Sequence, residues 1–140
     1  MASIAYNSCI RDAFLGRIVI GTSTIKAMLV TSSYVENKDT HLTRADITNE
    51  VSGTGYTAGG QIITATLTQD LTTEKTVITL ASVTWASSTL TAVRKVIYYV
   101  ANGGAASGDY LIGCNDLGAD YTSSSNSLVI AASTLTLTNL

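Results

Sequence analysis

Residues 61–68 place Ile62, Thr64 and Thr66 in alternation with Ile63, Ala65 and Leu67, and the chain closes on Thr134-Leu135-Thr136-Leu137-Thr138. A period of two puts successive side chains on opposite faces, which suits a half-buried strand and not a helix. Composition points the same way, with 22 Thr and 15 Ser against only three Glu and four Lys. Threonine fits the pleated, half-exposed face of a sheet, whereas the usual helix-surface residues are scarce. Further strands are expected over residues 17–20, 24–31, 75–80, 83–86, 92–101, 110–115 and 128–132. In the second of these Ile25, Ala27 and Leu29 share one face.

One early segment breaks the pattern. Tyr6, Cys9, Ile10, Ala13 and Phe14 recur at helical spacing, with Ser3 placed to cap the start and Gly16 to stop the helix. Residues 32–39 read as a polar connector, and residues 45–50 fit either a short helix or a strand ending at Val51. Residues 52–60 hold four glycines and read as an irregular loop. Residues 102–108 and 117–127 read as small or polar loops, the latter with three consecutive serines. About eight short strands spaced by turns, with one N-terminal helix, predict an all-β fold, a β-sandwich or jelly roll. The 140 residues make one domain, 1–140.

Charge narrows the function. Charged residues are 13% of the chain, the net charge is −2, and no basic block appears, which disfavours a nucleic-acid partner. No apolar run approaches the ~20 residues of a membrane helix, so no membrane partner is expected. The first basic residue is Arg11 with no apolar block before it, unlike a secretory signal. Cys9 and Cys114 are expected to be free, buried thiols of a chain made in a reducing cytoplasm. A weakly charged, hydroxyl-rich surface is poorly protected against association, which suits a protein that lives against neighbours.

Catalytic groups are few. His41 is the single histidine, and it sits in Asp39-Thr40-His41 as a loop residue. No Gly-x-Ser-x-Gly turn presents a nucleophile, and one His with two distant Cys does not make a zinc site. Asn115, Asp116 and Asp120 cluster as calcium ligands do, but without the order of a calcium loop. The glycines from Gly53 to Gly60 have Ala58 where a dinucleotide loop needs glycine, and strand character follows. Glu74 has few glutamates to pair with for glycoside chemistry. Tyr98 and Tyr99 fall on opposite sheet faces, so they cannot stack together on one ligand. Arg94 and Lys95 also point apart. If both faces were covered, one of them would need a buried partner, so the pair is read as a sign that at least one face is open to solvent or pairs with another chain. No enzyme, cofactor or metal is expected.

Several stretches resemble one family. They are Lys26-Ala27-Met28-Leu29-Val30-Thr31-Ser32-Ser33-Tyr34, then Asp39-Thr40-His41, then Asn49-Glu50-Val51-Ser52-Gly53-Thr54-Gly55-Tyr56-Thr57-Ala58-Gly59-Gly60. The apolar run 94–100, the small-residue loop 101–108 and Leu111-Ile112-Gly113 follow. This order is similar to that of short tailed-phage virion proteins, the head decoration or cement proteins. The chain departs from many relatives in lacking proline and in carrying Asn102-Gly103-Gly104 in a strand-linking loop. The resemblance implies a jelly roll on the outer surface of the capsid, assembled in the host cytoplasm. It implies contacts with the major capsid protein and with itself, as a dimer or trimer, and no catalytic residues. Chain ends and unpaired edge strands are ready templates for another chain. Candidate partner-binding residues are therefore Met1, Ala2, Ser3, Ile4, Ala5 and Tyr6, with Thr134, Leu135, Thr136 and Leu137. A receptor- or glycan-binding module using Trp85 or the loops 52–60 and 117–127 is the alternative.

Overall fold

The computed structural model describes residues 2–138, so Met1 of the candidate set and the last two residues of the expected C-terminal strand lie outside the described residues. Among the described residues, eight strands and one helix form a β-sandwich. The strands are β1 (Ala2–Ala5), β2 (Ile25–Val30), β3 (Gln61–Ile63), β4 (Ala65–Asp70), β5 (Lys75–Leu80), β6 (Val83–Val100), β7 (Tyr110–Ile130) and β8 (Ser133–Thr138). The helix α1 spans Asn7–Phe14. One antiparallel sheet has the order β1-β7-β6-β2-β3 and the other β4-β5-β8.

A single ribbon links the two sheets. Lys75 faces Thr138 and Leu80 faces Ser133 in one sheet, and Val83 faces Ile130 where the other begins. The pairing keeps step across a corner made of Ala81, Ser82, Ala131 and Ala132, whose small side chains allow the bend. The β6–β7 pair then runs to Val100 and Tyr110, with register shifts along its length. Ser87, Ala92 and Ser125 take positive φ along it, which marks bulged backbone.

The two strands expected at 83–86 and 92–101 are therefore one. The polar loop expected at 117–127 is largely strand as well. Residues 117–120 form the largest bulge, opposite Arg94 between the Val93–Tyr121 and Lys95–Asp116 pairs, and a smaller one falls at residues 124–125. The serine run is held in β7 by pairing with β6, where Ser88 and Ser123 share a buried 2.8 Å hydrogen bond. The strand expected over 61–68 divides at Thr64, where the chain leaves β2 for β5.

The five-stranded sheet is buried on both faces, which explains the continuous apolar run in β6. Ala27, Leu29, Val96, Tyr98 and Ile112 point into the core shared with Ile78, Leu80 and Leu135 of the smaller sheet. Met28, Ile97, Tyr99 and Leu111 pack on the opposite face with Tyr6 and Tyr34, under the segment between β2 and β3. Tyr98 and Tyr99 do lie on opposite faces.

The start of the chain differs from expectation. Ser3 is in a strand and caps nothing, because Ala2–Ala5 pair with residues 113–116 of β7. The helix opens after Tyr6 and stops where Gly16 takes φ +74°, its N–H donating to Ala13 O. Its buried side is Ser8, Cys9 and Asp12, not the whole apolar stripe. The Asp12 carbonyl accepts from the N–H groups of Arg17 and Ile18, and its carboxylate receives Arg17 at 3.2 Å and Arg11 at 3.0 Å. This anchor turns Ile10 and Phe14 outward. It also makes residues 17–20 a turn rather than a strand, with Ile18 buried and Val19 exposed.

The glycine-rich loop lies on the sandwich. Val51 N–H donates to Leu29 O, and Thr54 bridges to Thr89. Gly60 has φ +77°, and a Cβ there would stand 1.8 Å from Ala27 O. Gly60→Ala should therefore destabilise the fold by about 3 kcal/mol or more, through backbone displacement added to positive-φ strain. Gly16→Ala meets nothing within 4 Å and should cost only about 1–2 kcal/mol. Urea unfolding of both variants measures the difference.

Candidate interaction surface

The two chain ends lie side by side. β1 forms one margin of the five-stranded sheet and contacts β8 of the other sheet. The close approach depends on Gly113 of β7, where a Cβ would stand 2.5 Å from a Leu135 methyl and 2.9 Å from Ile4 O. Ala2 and Ser3 are exposed, and Ile4 and Ala5 are half-buried. Tyr6 is fully buried, so its ring faces this chain's own core. On β8, Thr134 and Thr136 are exposed, Leu135 is buried and Leu137 is half-buried. The outward groups of this region are thus Ala2, Ser3, Thr134 and Thr136, a small, uncharged, hydroxyl-bearing set.

Residues that sequence reading considered for chemistry are engaged in holding the fold. Tyr6 and Tyr34 share a 2.7 Å hydrogen bond, and Tyr34 Oη lies 2.8 Å from His41 Nδ1. The Asn37 backbone N–H also points at Nδ1, at 3.3 Å, so Nδ1 accepts, Tyr34 donates to it and Tyr6 donates to Tyr34. Burial pushes the Tyr34 phenol up to about 12. The same turn meets the helix start, where Asn7 N–H donates to Lys38 O and its side-chain amide to the Asp39 carboxylate.

Glu50 accepts from Tyr56 Oη at 2.7 Å and Gly59 N–H at 2.6 Å, while Tyr99 Oη donates to Gly59 O at 2.7 Å. Tyr56 Oη in turn accepts from Leu29 N–H at 3.1 Å. The glycine loop is thereby fastened to β2 and β6 from both sides. Trp85 is 0% exposed and packs beside Tyr56, so it presents no face to a glycan.

Asp116 accepts from Arg94 Nε at 2.7 Å, and Asp120 meets Arg94 at 3.5 Å. The pair sits against a cation the chain itself supplies, and the Arg94 hydrogen bond holds the Asp116 carboxyl below its usual range. Among the described residues no group of three or more His, Cys, Asp or Glu is placed to hold a metal ion. Cys9 and Cys114 are both buried and unbridged. Burial pushes the Cys9 thiol up to about 11 and the Cys114 thiol up to about 12, so neither is a ready nucleophile.

Both faces of the sheet around Lys95 are covered, against the expectation of an open or chain-paired face, and the charge is met within the chain. The Lys95 ammonium donates to Tyr34 O at 2.9 Å and to the Glu36 carboxylate. The partner comes from the segment between β2 and β3, which no local sequence signal links to β6. Partial burial opposes ionisation of Glu36, but the Lys95 hydrogen bond outweighs it and holds the carboxyl below its ordinary 4.5. A lowered folded pKa stabilises above the unfolded value and is lost as pH falls through the folded one. Unfolding free energy should therefore decline in acid, from about pH 5 downward, and Glu36→Gln should flatten part of that decline. At neutral pH Glu36→Ala should cost about 1–2 kcal/mol, because the pair is only part-buried and Lys95 keeps its bond to Tyr34 O, and Lys95→Met should cost less. Denaturant melts across the pH series test both.

Comparison of the chain with protein-family models, with curated proteins and with solved structures finds no match.

Proposed function

We propose that this chain is a tailed-phage head decoration, or cement, protein. It binds the outside of the shell, contacts the major capsid protein and itself, and strengthens the joints between capsomers. The observation that carries this reading is the ordered run of motifs from Lys26 to Gly60 and from Arg94 to Gly113, which resembles that family. Physical features support it. Among the motif residues, Tyr34 shares a hydrogen bond with Tyr6, Tyr56 accepts from Leu29 N–H of β2, Gly59 accepts from Tyr99 of β6 and Gly60 lies against Ala27, which ties the covering segment to the larger sheet. A shell under internal pressure gains from rigid blocks repeated at every joint, because modest contacts sum over many copies. The outward groups are hydroxyl-rich and weakly charged, and β1 and β4 leave strand edges open. The glycan-binding alternative cannot use Trp85, which is buried, and rests on residues 52–60 and 117–127 alone.

The test adds the purified chain back to heads that lack it. Saturable binding and a raised temperature of head disruption are expected. Thr134→Lys with Thr136→Lys, both exposed on β8, should lower head affinity by about tenfold or more and leave intrinsic stability within ~0.5 kcal/mol. Removing residues 1–5 should weaken head binding more than self-association. Heads that neither bind the chain nor gain stability from it would refute the proposal.

A further inference from the structure

The smaller sheet reaches past the core it covers. Leu67, Ile78 and Leu135 form one inward row across β4, β5 and β8, and Gln69, Thr76 and Leu137 form the next. Ile78 and Leu135 are buried, yet Leu67 is 55% exposed. The overhang faces helix α1, whose Asp12 anchor has turned Ile10 and Phe14 outward. Between them lies an apolar groove of about 520 Å³, lined by Ile10, Phe14, Val19, Leu67, Ile78 and Leu137. Phe14 is 89% and Leu71 79% exposed at its end. These side chains leave roughly 500 Å² of apolar surface open per copy, at the upper end of what a monomer shows.

The groove opens at a strand edge. β4 is the margin of its sheet, and five of its six residues are exposed. Its free hydrogen-bonding groups follow from the ladder on its other side. Ala81 N–H donates to Thr64 O at 2.9 Å, in register with the β4–β5 pairs. Thr64, Thr66 and Thr68 thus direct N–H and C=O toward β5, while Ala65, Leu67 and Gln69 direct theirs to the open edge.

We propose that two copies of this chain associate through their β4 edges, around a two-fold axis at Leu67. The three-stranded sheet becomes six-stranded, and the two grooves meet on one side. Of the two-fold registers this one alone pairs all three outward-directed residues of β4 with one another, Leu67 opposite Leu67 and Ala65 opposite Gln69. It also keeps the inner faces together, since residues directly opposite share a face. Asp70 then faces Thr64, so no like charges meet. The contact is self-complementary, as a two-fold requires. Covering both patches would bury about 1,000 Å² in total, the lower bound for a specific interface, to which the main-chain pairing of the two edges adds. This deepens the self-association part of the reading above but is tested without heads, so each can fail separately.

Sedimentation velocity of the purified full chain over a concentration series should show a dimer. Leu67→Glu, which opposes two carboxylates at the axis, should weaken it by about tenfold or more. Leu67→Cys should form an oxidised, disulfide-linked dimer, because opposed Cα atoms lie ~5.5 Å apart in a hydrogen-bonded pair. Thr68→Cys, out of register with its own copy, should not. The two cysteine variants read the geometry even where the glutamate variant folds poorly. A chain monomeric at all concentrations would overturn the proposal. So would a dimer that Leu67→Glu leaves intact, or one that cross-links in the Thr68→Cys variant and not in the Leu67→Cys variant.

Discussion

The sandwich depends on one ribbon keeping its register while it changes sheets. β5 and β8 pair on one side of the corner at residues 81–82 and 131–132, and β6 and β7 pair on the other, without slipping a residue. A slip of one would send every inward side chain outward. Because the step is kept, Leu80 and Ile78 face the same interior as Trp85, Leu128 and Ile130. The remaining strands attach to the margins of this ribbon: β1 on β7, β2 on β6 with β3 beyond it, and β4 on β5. Tyrosine hydroxyls, Glu50 and the Lys95–Glu36 pair then fasten the loops over both faces.

Sequence pattern revealed the parts in which side-chain alternation and strand propensity agree. β2, β5 and β8 were legible for that reason, as were the opposed faces of Tyr98 and Tyr99. The serine run in β7 was not, because serine has weak strand preference and only pairing with β6 keeps it extended. β1 is four residues of small and mixed character, too short to show a period. The turn at residues 17–20 was hidden by its apolar content. What decides it is the buried Asp12, which binds the following backbone. Lys95 announced a need for a partner but not its identity, since Glu36 is distant in sequence.

The candidate surface was legible in part. Alternation correctly separates Thr134 and Thr136 from Leu135 on β8. The burial of Tyr6 was not legible, because it arises from Tyr34 and the sheet beneath it. Neither was the nearness of the two chain ends, which follows from Gly113 letting β8 and β1 approach β7. Sequence reading also missed the groove beside β4. The stripe Ile10 and Phe14 signals an apolar face, but only the orientation of Asp12 shows that this face is left uncovered.

The fold thus fastens its covering segment to β2 and β6 and directs strand margins and small hydroxyl groups outward. Such an arrangement suits the structural part proposed above. The most direct measurement is the number of copies of this chain per purified virion, relative to the major capsid protein. A cement role predicts a simple ratio near one, or another fraction that implies hundreds of copies. A handful of copies per particle would contradict it and place the chain on a tail or fibre.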